Sequence, residues 1–179
     1  MRNIVWLSVC VSIAMSGSVW AEEHVGTKSS KLGWSALIGV ANTKIEYEEH
    51  DSKIEEPALH IGLGYRMNPF FALDIDLNWI DAEENKSDIL LTQTSLSARG
   101  VWPVTDSFEA WAKIGLVYGE YKVTHDINPT AKGSATSLVS AIGGDYYVTP
   151  SIFVRAQYTS HHYEDISGDA VGVSLGYLF

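Results

Sequence analysis

The segment Leu73-Asp74-Ile75-Asp76-Leu77-Asn78-Trp79 decides the fold class. Its apolar side chains occupy every second position, so a β-strand would place them on one face and the polar side chains on the other. The same alternation runs through residues 59–66 and 170–179. A period of two sustained over segments of about ten residues predicts strands rather than helices.

Turn residues separate eight such segments along the chain. The predicted strands are 33–47, 57–67, 70–80, 91–102, 107–121, 135–148, 151–162 and 169–179. Three connections are short and contain proline, and they cover 67–69, 103–106 and 148–151. The other connections are longer and polar, and they cover 48–56, 81–90, 122–134 and 163–168. Short and long connections in alternation predict an antiparallel meander.

The N-terminal segment has the layout of a secretory signal peptide. Arg2 is its only charge, an apolar run follows from Ile4 to Met15, and small residues precede Ala21. The apolar run is shorter than the roughly 20 residues that a membrane-spanning helix needs. The predicted organisation is therefore a signal peptide over 1–21 and one barrel domain over 22–179.

Composition narrows the classes of function. The chain has 179 residues, of which 46% are hydrophobic, and this suits one folded domain. Its 22 acidic residues outnumber 12 basic ones, which argues against a broad nucleic-acid surface. The single cysteine, Cys10, excludes an intramolecular disulfide and a cysteine-based zinc site. Scattered histidines show no ligand spacing, so we expect no metal and no cofactor.

Eight meandering strands can close into two kinds of barrel. A soluble secreted barrel puts its apolar residues inside, whereas a transmembrane barrel puts them outside. The second kind is favoured because the polar face is rich in small residues and charges, as a narrow packed lumen requires. Aromatic residues also mark the ends of the apolar face, at Trp34, Tyr65, Trp79, Trp102, Tyr158 and Phe179. We predict an all-β, eight-stranded antiparallel up-and-down transmembrane β-barrel.

Four motifs resemble the transmembrane domain of the OmpA family, in the family's order. The family's first strand is similar to Lys31-Leu32-Gly33-Trp34. Its first turn is similar to Gly64-Tyr65-Arg66-Met67-Asn68-Pro69-Phe70. Two further turns are similar to Gly100-Val101-Trp102-Pro103-Val104-Thr105-Asp106 and to Tyr147-Val148-Thr149-Pro150 with its following strand. The resemblance runs from about Leu32 to Phe179 and implies a monomer in a Gram-negative outer membrane. The family's frequent periplasmic peptidoglycan-binding domain is expected to be absent.

The alternation places seven charged residues on the lumen face: Asp74, Asp76, Arg99, Glu109, Lys113, Asp145 and Arg155. Charges removed from water are costly unless they are paired, so we predict an ion-pair network. The resemblance implies that most of these positions pair and gate a narrow water path, although Gln157 stands where the family has an acid. Two interpretations stay open, a structural plug and the gate of a low-conductance channel.

The long polar connections, with the strand ends next to them, carry most of the negative charge, with fifteen acids against four lysines. We expect acidic patches on extracellular loops that include Glu48, Glu49, Asp51, Glu55, Glu56, Glu83 and Glu84. Such a surface is most often simply solvated. It could also bind divalent cations through carboxylate oxygens, or contact a host surface molecule or a phage.

A lipid A-modifying enzyme would need a serine nucleophile with a histidine and an acid at the outer rim. Ser160, His161, His162, Glu164 and Asp165 are the candidate cluster. Lipid A deacylases have a His-x-Ser pattern in a comparable place, but Glu164 follows His162-Tyr163 here, so we expect no enzyme.

These observations predict a structural or adhesion-type barrel that acts through acidic extracellular loops. A narrow channel is the alternative, and a lipid-modifying enzyme is the weakest. The expected partners are outer-membrane lipids, lipopolysaccharide and the outer-membrane assembly machinery. The terminal Gly176-Tyr177-Leu178-Phe179 resembles the aromatic signature that this machinery reads, with Phe179 as the assembly signal.

Overall fold

The structure is a computed structural model, and it describes residues 31–47, 50–84, 87–125, 131–162 and 166–179. The predicted signal peptide lies outside these ranges. The described residues form eight strands: β1 Gly33–Tyr47, β2 His50–Asn68, β3 Phe71–Glu84, β4 Ser87–Pro103, β5 Phe108–His125, β6 Ala131–Tyr147, β7 Ile152–His162 and β8 Ile166–Leu178. Each strand pairs antiparallel with the next, and β1 pairs with β8, so the sheet closes into a barrel. The predicted fold class is confirmed.

The barrel is apolar outside and polar inside. On β3, Ile75 is 51% exposed, whereas its neighbours Asp74 and Asp76 are 2% and 3% exposed. A soluble barrel would have the opposite order, because water would then cover its outer face. The described part of the chain contains no helix that is long and apolar enough to cross a membrane.

Exposed aromatic side chains form two bands on the outer face. The band beside the long hairpins contains Trp79, Tyr118 and Tyr158, and the band beside the short turns contains Trp34, Tyr65, Trp102, Tyr146 and Phe179. On β5, ten residues separate Phe108 from Tyr118, which is about 25 Å of height for a strand tilted by about 40°. That height matches the hydrocarbon-facing belt of an outer-membrane barrel.

The predicted long connections are wrong in their extent, because the strands continue into them. Glu55, Glu56, Asp51, Glu83 and Glu84 lie on β2 and β3 rather than in loops. The alternation of apolar residues, from which the strand ends were predicted, stops where neither face of the sheet contacts lipid. Backbone hydrogen bonds between strands continue beyond that point, because they do not depend on this alternation. Opposite charges also pair across the strands there, as at Lys44 and Glu55, whose Nζ and Oε1 atoms are 3.0 Å apart. The remaining patch residues, Glu48 and Glu49, lie outside the described residues.

Two large aromatic rings fill the lumen where the opposite strand carries glycine. Trp111 on β5 lies against Gly143 on β6, and Phe153 on β7 lies against Gly176 on β8. A Cβ atom at Gly143 would overlap the Trp111 indole and the carbonyl oxygen of Ala156. Gly143 is therefore required for Trp111 to occupy the lumen.

We expect Gly143→Ala to lower the free energy of unfolding by about 1–3 kcal/mol, since overpacking a filled interior costs this much. Urea titration of the barrel refolded in lipid vesicles measures the change. Gly100→Ala is the matched control, because the nearest atom to its new Cβ would be 3.4 Å away on Trp102. Equal unfolding midpoints for the two variants would contradict this packing.

Candidate functional site: the lumen ion-pair network

The middle of the lumen contains two arginines and two aspartates in mutual contact. Arg155 donates from Nε to Asp145 Oδ1 and from Nη2 to Asp145 Oδ2, both at 2.8 Å. Arg99 Nη1 donates to Asp145 Oδ2 at 3.3 Å, and its Nε lies 2.7 Å from Asp74 Oδ2. Two forked guanidinium groups thus bridge two carboxylates, which is the geometry that best offsets the desolvation of both charges.

Trp111 completes this middle cluster. Its indole Nε1 donates to Asp145 Oδ1 at 2.9 Å. The Arg155 guanidinium carbon lies 4.9 Å from the centre of the Trp111 ring, within the range of a cation–π contact. Asp145 is therefore held by Arg99, Arg155 and Trp111 together.

A second cluster lies nearer the long hairpins, around Asp76. Lys113 Nζ donates to Asp76 Oδ2 at 2.6 Å, and Ser95 Oγ donates to the same oxygen at 3.4 Å. His60 Nε2 lies 3.1 Å from Asp76 Oδ1, and its Nδ1 lies 3.2 Å from Ser174 Oγ. His60 thus connects β3 to β8 across the lumen.

The third cluster closes the end beside the short turns. Arg66 Nη1 lies 3.0 Å from Oε1 and 2.8 Å from Oε2 of Glu109. The Tyr147 hydroxyl donates to Glu109 Oε2 at 3.2 Å, and Lys31 Nζ lies 3.3 Å from Oε1. Lys31 also sits 3.4 Å above the centre of the Tyr147 ring. A buried glutamate with two bases and a hydroxyl fills the mouth.

Register makes the three clusters depend on one another. Arg99 lies directly opposite Lys113 in the β4–β5 pair, and Glu109 lies directly opposite Asp145 in the β5–β6 pair. Like charges at such positions repel when they stand alone. Each is neutralised by an opposite charge, either from an adjacent strand or from across the lumen, so loss of one member would leave its like-charged neighbour unbalanced.

A small polar cavity of about 20 Å³, which is room for about one water molecule, lies above the Asp76 cluster, toward the long hairpins. Asp76, His60 and Lys113 form its floor, and its walls include Gln157 and His161. Gln157, which replaces the acid expected from the resemblance, lines this small cavity, and as a neutral side chain it forms no ion pair with Arg155. The cavity stops at the ion pairs beneath it.

The structure places six of the seven predicted lumen charges in two ion-paired clusters, Asp74, Arg99, Asp145 and Arg155 in one and Asp76 with Lys113 in the other. Glu109 pairs separately, with Arg66 and Lys31. Arg66 and His60 also belong to these clusters but were not predicted, although alternation puts both on the polar face of β2. The unused signal was charge balance: the seven predicted charges carried one acid in excess, and Arg66 supplies the missing base.

The candidate hydrolytic cluster does not assemble among the described residues. Ser160 and His161 are successive residues of β7, so their side chains point to opposite faces of the sheet. His161 faces the cavity and is buried. Glu164 and Asp165 lie outside the described residues. Among the residues that the structure describes, no group of three histidine, cysteine or acidic side chains could hold a metal ion.

We expect Arg155→Gln to lower the free energy of unfolding by about 3–5 kcal/mol, because Arg99 alone would then face the buried charges of both Asp74 and Asp145. Lys44→Gln, which removes one partner of an exposed ion pair, should cost less than about 1 kcal/mol. Urea unfolding in vesicles measures both. A similar small effect of both variants would show that the lumen pairs contribute little to stability.

Comparison with known proteins agrees with this architecture. A family model described as "Outer membrane protein beta-barrel domain" matches residues 7–179. Outer membrane protein A of Escherichia coli O157:H7 is 19% identical over 84% of this chain and 46% of its own length. The protein of the same name from Buchnera aphidicola is 22% identical over 88% of this chain and 49% of its own length. The chain thus spans about half the length of the curated relatives it matches.

Two solved structures share the fold. Neisserial surface protein A superposes with a TM-score of 0.73 at 15% identity, covering 82% of this chain and 97% of that one. Ail, the attachment invasion locus protein of Yersinia pestis, superposes with a TM-score of 0.66 at 18% identity, covering 83% and 99%. The family match covers nearly the whole chain, and the fold and outer face agree with it. The chain therefore belongs to the outer membrane protein β-barrel domain family, as an OmpA-like barrel of the Gram-negative outer membrane.

Proposed function

We propose that this barrel is a surface-interaction protein of the adhesion type. The observation that carries this proposal is the length of its strands. β5 continues for seven residues beyond Tyr118, which is about 18 Å above the aromatic band. Paired strands at this height form a rigid wall outside the membrane, and a rigid surface loses little entropy when it binds a partner.

The charge of the wall supports a partner with a basic surface. Glu55, Glu56, Asp81, Glu120 and Asp169 are acids on this part of the described strands. Additional acids of the sequence flank the hairpin tips. Acidic surfaces attract basic ones and speed their encounter. Ail has been solved with the heparin analogue sucrose octasulfate, which is a polyanion. An acidic wall would repel such a ligand, so the partner proposed for this barrel is basic rather than polyanionic.

Several further roles form part of this proposal. Residues 1–21 act as an export signal, and the barrel works as a monomer without catalysis. Phe179 serves the assembly machinery: its backbone N–H donates to the Trp34 carbonyl at 2.9 Å, which ties the C-terminus to β1. Its side chain is 48% exposed in the aromatic band beside the short turns, where another protein can reach it.

We expect neutralisation of the first hairpin, by Glu48→Gln, Glu49→Gln and Asp51→Asn together, to weaken adhesion about tenfold. Attachment of bacteria displaying the barrel to cultured epithelial cells, at low and high salt, is the measurement. Asp106→Asn is the matched control, because it removes an exposed acid from a short turn at the opposite end. Unchanged attachment by the triple variant would refute a role for these acids.

A narrow channel is the second candidate, and the polar cavity favours it. The cavity reaches down to Asp76, Lys113 and His60, so rearrangement of one ion-pair cluster would lengthen the water-accessible path. This proposal treats the network as a gate rather than as a permanent plug.

If the network gates a channel, Arg155→Ala should change the single-channel conductance in planar bilayers. The substitution opens space beside Asp145 and removes its bidentate partner. Heat-dependent mobility on SDS gels checks that the variant barrel is folded, and Lys44→Ala is the control outside the lumen. A conductance trace identical to that of the unaltered protein would eliminate the gate.

A further inference from the structure

Two lysines face outward side by side just above the aromatic band. Lys122 on β5 and Lys132 on β6 are direct partners in the strand register, and both are exposed. Side chains at such positions begin about 5 Å apart. Two like charges this close repel, so the pair is most stable when an anion lies between them.

A groove runs beside these lysines on the outer face of β4, β5 and β6. It has a volume of about 460 Å³, and its lining includes Leu90, Thr92, Tyr118, Glu120, Lys122 and Lys132. Leu90 and Tyr118 supply apolar surface, whereas the lysines and Thr92 supply hydrogen-bond donors. The groove therefore combines a site for an anion with a surface for hydrocarbon or a sugar ring.

The charge of the patch sets it apart from another outward lysine at this height. Lys44 on β1 is paired with Glu55. Glu120 is the nearest outward acid on β5, and it accepts a hydrogen bond from the Tyr118 hydroxyl at 3.1 Å. Among the side chains that the structure describes, neither Lys122 nor Lys132 has a carboxylate within ion-pair distance. Counting only the side chains that the structure describes, Lys122, Lys132 and Glu120 together give this groove a net positive charge.

The two lysines lie at the height of the lipid headgroups above the hydrocarbon layer. Lys122 is four residues beyond Tyr118, about 10 Å above the aromatic band for a tilted strand. Lysine side chains reach several ångströms along the surface toward an interface, so both ammonium groups can meet phosphates at the top of the outer leaflet. We propose that Lys122 and Lys132 bind a phosphate of lipid A, whose sugar and acyl chains lie against Leu90 and Tyr118.

Native mass spectrometry of the refolded barrel in detergent micelles tests this site. The probes are bisphosphorylated lipid A, lipid A with both phosphates removed, and inorganic phosphate. We expect the unaltered protein to prefer the bisphosphorylated lipid by about tenfold, as two interfacial lysines allow. The double variant Lys122→Gln with Lys132→Gln should lose this preference, whereas Lys44→Gln should keep it.

A second variant tests the same site by an expected increase in binding rather than a decrease. Glu120→Gln removes the nearby acid, and we expect it to strengthen binding of the bisphosphorylated lipid. Equal binding of the two lipids by the unaltered protein would overturn the proposal, as would a double variant that behaves like Lys44→Gln. Displacement of the lipid by millimolar inorganic phosphate would identify a free-anion site instead and would overturn the assignment to lipid. Adhesion through the acidic wall is measured in a separate experiment, so the failure of one proposal leaves the other intact.

Discussion

Mutual neutralisation of charges inside a narrow barrel is the constraint on which the rest of this structure depends. Within the described residues, four acids and four bases are buried in the lumen. Each would cost several kcal/mol if left alone in that environment. Together they join β2 to β7 across the interior, and the apolar residues that would fill a soluble core are free to face lipid. The same packing fills the middle of the lumen with side chains.

The fold could be read from the sequence because lipid imposes a strict rule. A strand with lipid on one side and a packed lumen on the other must alternate, as 73–79 does. The rule ends where the lipid ends. Glu55 and Glu83 therefore looked like loop residues, although backbone hydrogen bonds continue through them in β2 and β3. Strand length outside the membrane is set by hairpin pairing, which leaves no apolar period in the sequence.

The sequence allows a prediction of which face of the sheet each lumen residue occupies, but not of which side chains it contacts. Alternation assigned Arg99, Asp145 and Arg155 to the lumen, because face depends only on the parity of the position. Which atoms meet depends on barrel shear and on the reach of long side chains, and these are not local properties of the chain. Arg66 reaches Glu109 from a strand that is not its neighbour in the sheet. Likewise, nothing near Lys122 in the sequence shows that Lys132 lies beside it.

The most direct test of the central claim is a double-mutant cycle on Asp145 and Arg155. Unfolding free energies in vesicles would be compared for Asp145→Asn, Arg155→Gln and the double variant. If mutual neutralisation holds the lumen together, each single variant is strongly destabilised, and the double variant loses far less than the sum of the two. Effects that add within about 0.5 kcal/mol would show that the two charges do not depend on each other, and would contradict this account.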